Sequence, residues 1–177
     1  MITKLRIAAF QRQPRFNDMA ETLKHMLTDL KWCDNQDVCL AVFPECYLQG
    51  YASDKPTITH RALRLDSEEF TEVLVSLSNF RTTIVLGLIE QRGTDFYNSA
   101  AVIKNGILLG VYSKTHPNEQ GFKAGADYPT FETSGWKFGI NICNDANFDQ
   151  KLLVRASFKF AHLMFCRKLA GKRLSPQ

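Results

Sequence analysis

The chain has 177 residues, enough for one domain (1–177) with a core of its own and too few to expect two. An apolar content of 45% and a charged content of 23% are those of a folded globular protein and exclude an intrinsically disordered chain. The net charge of +4 is unevenly placed: residues 151–177 carry seven Lys or Arg and no acid, against 15 basic and 18 acidic residues before them.

Residues 5–10 are apolar except for Arg6, too short to span a membrane, and read as a first, mostly buried strand. Pro14 and Asn17 mark a loop, and Asp18-Met19-Ala20-Glu21 has the spacing of a capping box. The helix that follows puts Met19, Leu23, Met26, Leu27 and Leu30 on one face, a core stripe. Asp34-Asn35-Gln36-Asp37 breaks it, and residues 38–43 are a continuous apolar run, as in a strand buried on both faces. Pro44-Glu45 closes that strand. A second helix follows Asp66-Ser67, with Phe70, Val73, Leu74 and Leu77 inward, and residues 83–89 form another buried strand. Residues 98–103 and 107–113 flank Asn105-Gly106, a strong hairpin turn, and Lys114 follows directly. Residues 121–129 read as loop and 130–133 as a short strand; Ser134-Gly135 then turns the chain into a strand at 136–142, where Phe138, Ile140 and Ile142 alternate with smaller or polar residues. This order predicts a mixed α/β sandwich with helices on one face of a sheet.

Glu45, Lys114 and Cys143 each close a strand, and the three strands could share one sheet. Ligands of open α/β sheets gather at such ends. A buried glutamate serves as general base, a thiolate attacks acyl carbon, and a fixed ammonium stabilises the oxyanion of a tetrahedral intermediate. Taken singly, each residue has an ordinary structural explanation: a packed thiol, a loop carboxylate, a surface lysine. Tyr47 and Tyr51, just after Glu45, are candidates to line a pocket, and His116 lies close to Lys114 in sequence. The five cysteines (Cys33, Cys39, Cys46, Cys143, Cys166) form no C-x-x-C pair, and neither they nor the histidines have metal-ligand spacing. No cofactor or metal is implied. The odd count, with no secretory segment, predicts reduced thiols and a cytoplasmic location.

Phe43-Pro44-Glu45, Tyr112-Ser113-Lys114-Thr115-His116 and Gly139-Ile140-Asn141-Ile142-Cys143-Asn144-Asp145 resemble, in order and context, the nitrilase superfamily of carbon–nitrogen hydrolases. The resemblance runs from about residue 4 to about residue 165. It implies an α-β-β-α sandwich and a catalytic triad with Glu45 as base, Lys114 as stabiliser of the tetrahedral intermediate and Cys143 as nucleophile. It further implies that Glu119 orients Lys114 or the substrate amine, and that the backbone N–H of Asn144 completes the oxyanion hole. Where nitrilases proper continue Trp-Glu-Asn, this chain has Asn144-Asp145, similar to the amidase and N-carbamoyl-amine hydrolase branches. The implied reaction is hydrolysis of a small linear amide or N-carbamoyl amine with release of ammonia. The alternatives are nitrile hydrolysis, and a truncated, catalytically inactive remnant or interaction protein of the same family. The family also implies pairing of subunits into a homo-oligomer.

Beyond the cysteine the chain departs from the family pattern. Asp149 stands where the family has proline, Arg155 is retained, and Phe160-Ala161 replaces a Gly-Ala step before the next expected strand, 161–165. The basic segment 166–177 matches nothing in the family. The sequence therefore reads as a C-terminally truncated member with an incomplete second sheet, which predicts poor solubility or loss of activity. The tail's charges are interspersed with apolar residues and accompany no recognition module, so neither nucleic acid nor membrane is expected as a partner.

Overall fold

The structure is a computed structural model that describes residues 4–15 and 18–148, together with the backbone of 160–165. Five strands form the first sheet in the order β1-β2-β3-β4-β5: β1 (Ile7–Ala9), β2 (Leu40–Val42), β3 (Thr83–Arg92), β4 (Asp95–Lys104) and β5 (Ile107–Ser113). β1, β2 and β3 run parallel; β3, β4 and β5 run antiparallel. The β4–β5 turn is the predicted Asn105-Gly106, both residues in the left-handed region at φ 50° and 71°, as a two-residue hairpin turn requires. A second sheet holds β6 (Phe131–Thr133), β7 (Trp136–Ile142) and β8 (Phe160–Phe165), with β7 antiparallel to β6 and parallel to β8.

The burial pattern of β2 and β3 explains the layering. Ala41, Phe43, Ile84, Leu86 and Leu88 face α1 (Met19–Asn35) and α3 (Glu68–Ser76), which press Met26, Leu30, Cys33, Phe70 and Val73, with Leu77 just past α3, onto the sheet. Leu40, Val42 and Val85 face the other way and pack on Phe138, Ile140 and Ile142 of the second sheet. Strands covered on both faces need apolar residues at every position, hence the continuous run at 38–43. Phe138 is fully buried between the sheets, and cutting it to alanine would cost about 3–5 kcal/mol. This helix–sheet–sheet packing is the mixed α/β sandwich expected.

Several details differ from expectation. β1 is not mostly buried: among the described residues it lies at the sheet edge and pairs with β2 alone, which leaves Ile7 38% exposed. The box at the start of α1 is one-sided: Asp18 accepts from Glu21 N at 2.8 Å, while Glu21 turns to Lys24 and His25. A short helix, α2 (Lys55–Arg61), was not foreseen; Asp54 caps it and Pro56 opens it, but it buries only Ile58, too little for a periodic stripe. Asp149, Arg155 and the tail lie outside the described residues. Among the described residues, no helix is long and apolar enough to cross a membrane.

Candidate active site

Glu45, Lys114 and Cys143 do not end strands of one sheet. β2 and β5 belong to the first sheet and β7 to the second, because alternation along a strand fixes its faces but not its neighbours. The site is therefore assembled across the sandwich, where two sets of strand ends meet.

Glu45 follows β2 in a tight turn. Tyr47 N donates to Pro44 O, Leu48 N donates to Gly87 O at 3.0 Å, and Cys46 sits at φ 51°. The turn lies so close to β3 that a Cβ on Gly87 would come within 2.1 Å of Pro44 O, so only glycine fits there. Glu45 is 4% exposed and Lys114 1%. Lys114 Nζ donates to Glu45 Oε1 at 2.8 Å and reaches Glu119 Oε1 and Oε2 at 3.4 and 3.5 Å. Burial alone would push the ammonium's pKa down. Glu45, by charge and hydrogen bond, then Glu119 and Cys143, more than offset that, and the net direction is up: the lysine is held as a cation.

Glu119, 8% exposed, is not a solvated loop carboxylate. Besides Lys114 it accepts from Tyr51 OH at 2.5 Å and from Asn118 N at 3.1 Å. Tyr51 is itself held by Arg61, which donates to the carbonyls of Gly50 and Tyr51 from α2. Tyr51 thus joins the site through Glu119. Tyr47 does not: it is buried against the helices, stacked on Phe43 at 5.5 Å, and borders a cleft of about 640 Å³ with Arg12 and Asp29.

Cys143 follows β7 at φ 47°, a left-handed conformation that a side chain adopts only when its surroundings impose it, and opens a 3₁₀ turn, Cys143–Asn147. Asp145 holds this elbow. Fully buried, it accepts from Ile142 N at 2.9 Å and so caps backward, not into a following helix. It also accepts from Tyr112 OH at 2.7 Å, His116 N at 2.8 Å and Thr115 Oγ1 at 3.2 Å. One carboxylate thereby ties the cysteine turn to the segment just after Lys114. Asn144 Nδ2 adds bonds to His116 O and Asn118 Oδ1. His116 packs its ring on Phe148, centroids 3.8 Å apart, with Nδ1 near Thr115 and Asp145.

Two cysteines flank the charges, and they differ. Cys46 is wholly buried, and burial, then Glu45 and Glu119, push its thiol well up against the pull of Lys114, which keeps it protonated and inert. Cys143 is half-buried on the elbow. Among the described residues, no group of three or more His, Cys, Asp or Glu is placed to hold a metal ion.

Sequence reasoning missed two residues here. Asp145 was legible only as part of the Asn144-Asp145 pair after the cysteine, as a helix cap and a mark of the branch, not as the carboxylate that holds the elbow. Asn98, a buried amide on Glu45 (Nδ2 to Oε1, 2.8 Å), was hidden in the hairpin, although a polar Asn98-Ser99 pair entering an otherwise apolar strand was its signal.

A family model, Carbon-nitrogen hydrolase, matches residues 6–168. The chain belongs to the carbon–nitrogen hydrolases, the nitrilase superfamily. It is 30% identical over 149 residues to the glutamine-dependent NAD(+) synthetase of Thermotoga maritima, covering 80% of this chain and 26% of that protein. It is 31% identical over 145 residues to an (R)-stereoselective amidase of a Pseudomonas species, covering 80% of this chain and 52% of that one. Saccharomyces cerevisiae Nit3, a member of branch 10 of the superfamily, shares the fold: TM-score 0.77 at 20% identity, covering 90% of this chain and 64% of Nit3. The chain thus spans between about a quarter and about a half of the length of these two curated relatives.

Proposed function

We propose that the chain hydrolyses the C–N bond of a small linear amide or N-carbamoyl amine through a thioester on Cys143, releasing ammonia. The observation that carries this reading is a lysine buried between Glu45 and Glu119, beside a cysteine held on a strained elbow. As Cys143 Sγ bonds the carbonyl carbon, its proton passes to Glu45 and the carbonyl π pair moves onto oxygen. The Lys114 ammonium and the backbone N–H of Asn144 hold that oxyanion. On collapse the C–N bond breaks, and the proton on Glu45 goes to the departing nitrogen, which leaves as ammonia. Glu45 then takes a proton from water; the hydroxide adds to the thioester, and the sulfur leaves as it regains the proton. Glu119 and Tyr51 hold Lys114 in place throughout.

Asn144-Asp145 after the cysteine, and the amidase and glutamine-dependent relatives, favour a carboxamide over a nitrile. The test is ammonia release across a panel of linear amides (L-glutamine included), N-carbamoyl amines and nitriles, with Cys143→Ala as control. Release from amides or carbamoyl amines that the control lacks is the expected result. Equal release by both proteins refutes the assignment, and release from nitriles alone replaces the substrate class.

A further inference from the structure

Asn98 bonds the Glu45 carboxylate and the main chain of Lys114. Its side chain donates from Nδ2 to Glu45 Oε1 at 2.8 Å, and its main-chain carbonyl accepts from the Lys114 N–H, also at 2.8 Å. It lies near the start of β4, paired with Ile89 of β3, so its backbone is fixed by the sheet rather than by a loop. The oxygen it binds on Glu45 is the one that Lys114 Nζ binds. A carboxylate oxygen offers two acceptor positions, and these two donors fill both on Oε1.

The amide is set for this bond and not for its own satisfaction. Its other atom, Oδ1, is buried without a hydrogen-bond partner among the described residues, an arrangement that costs free energy. Turning the amide over would place that oxygen against the carboxylate and leave a donor stranded.

We propose that Asn98 is a positioning residue for Glu45: with Lys114 it occupies Oε1, so that Oε2 is the oxygen that accepts the Cys143 proton and later returns it to the leaving nitrogen. This rests on the thioester reading above. The charged and titratable groups around Glu45 are Lys114, bonded to it, Glu119 across the ammonium, the Cys46 thiol and Cys143.

The test measures ammonia release against pH for the full chain, wild type, Asn98→Ala and Asn98→Asp, with thermal melting in parallel and rates referred to the folded fraction. Both variants are expected to lose about 10²-fold in kcat, the effect of a catalytic group displaced by about 1 Å, with KM near that of wild type. Asn98→Asp sets a second carboxylate against Glu45, which disfavours the ionised base, so the acidic limb of its pH–kcat profile moves to higher pH; that of Asn98→Ala does not. A purely structural asparagine would lower the melting temperature and leave kcat and the limb in place. Should the alanine variant not fold, Asn98→Ser, still polar but too short to reach Glu45, is expected to show the same loss. Wild-type kcat and an unmoved limb in the folded variants overturn the assignment while the amidase reading stands. Equal ammonia release by wild type and Cys143→Ala overturns both.

Discussion

Two buried carboxylate–cation clusters stand side by side at one end of the first sheet, and they are built to opposite rules. In the first, Glu90 is held in a fork by Arg92 at 2.5 and 2.6 Å, and its Oε2 also accepts from Ser99 at 2.6 Å. Arg92 donates on to Ser113, lies over the Tyr97 ring at 4.4 Å, and keeps one side in water. Charge is balanced and both carboxylate oxygens are filled. In the second, at Lys114 just past the end of β5, two carboxylates share a single ammonium, all three out of water, and both donors to Glu45 among the described residues crowd onto one oxygen. A saturated, neutral pair is scaffold. A cluster with one cation too few and one carboxylate oxygen to spare retains capacity for a proton.

Variants that remove one partner from each cluster test that distinction. Lys114→Met should lower kcat/KM by roughly 10³-fold, the scale of a lost oxyanion donor, and should also destabilise the fold because two carboxylates stay buried without their cation. Retention of activity would place Lys114 with the scaffold. Arg92→Met should do the reverse: a loss of roughly 2–3 kcal/mol in denaturant unfolding, below that of a fully buried pair because Arg92 is half-exposed, with kcat within a few fold of wild type. Tyr51→Phe removes one bond to Glu119 and should cost kcat roughly tenfold, the worth of a hydrogen bond to a charged group, with little change in melting.

The smallest effect concerns pH and belongs to the scaffold. Burial first, then Asp29 and Asp34, push the Cys33 thiol up to about 11, and burial, then Glu45 and Glu119, push the inert Cys46 thiol up as well. Groups that hold their protons more tightly when folded contribute fully below their unfolded pKa and lose that contribution as pH rises through the folded value. Chemical stability should therefore hold through neutral pH and decline from about pH 8.5, where a free thiol titrates, to about 11. Cys33→Ala should flatten the first part of that decline; an unchanged slope would contradict it.

Much of this was legible in the sequence where a local pattern decides the outcome. The apolar run at 38–43, the Asn105-Gly106 turn and the alternation of Phe138, Ile140 and Ile142 each fix an element without reference to the rest of the fold. The strand ends carrying Glu45, Lys114 and Cys143 followed from those elements. What failed depended on neighbours. Sheet membership divided the three strands between two sheets, the edge position exposed Ile7, and the left-handed turn at Cys46 sent Tyr47 to the helices while Tyr51 reached Glu119. Asn98 and Asp145 were hidden for the same reason: Asn98 reaches Glu45, 53 positions away, and Asp145 reaches Tyr112 and His116, 33 and 29 positions away.

The central claim is that Cys143 carries the acyl group while the neighbouring charges move its proton and hold its oxyanion. Intact-mass and peptide mass spectrometry of the chain, acid-quenched during turnover of an amide that releases ammonia, tests it most directly. An adduct equal to the substrate minus ammonia, confined to Cys143 and absent from Cys143→Ala, is the predicted result. Steady ammonia release with Cys143 unmodified, or undiminished in Cys143→Ala, would contradict it.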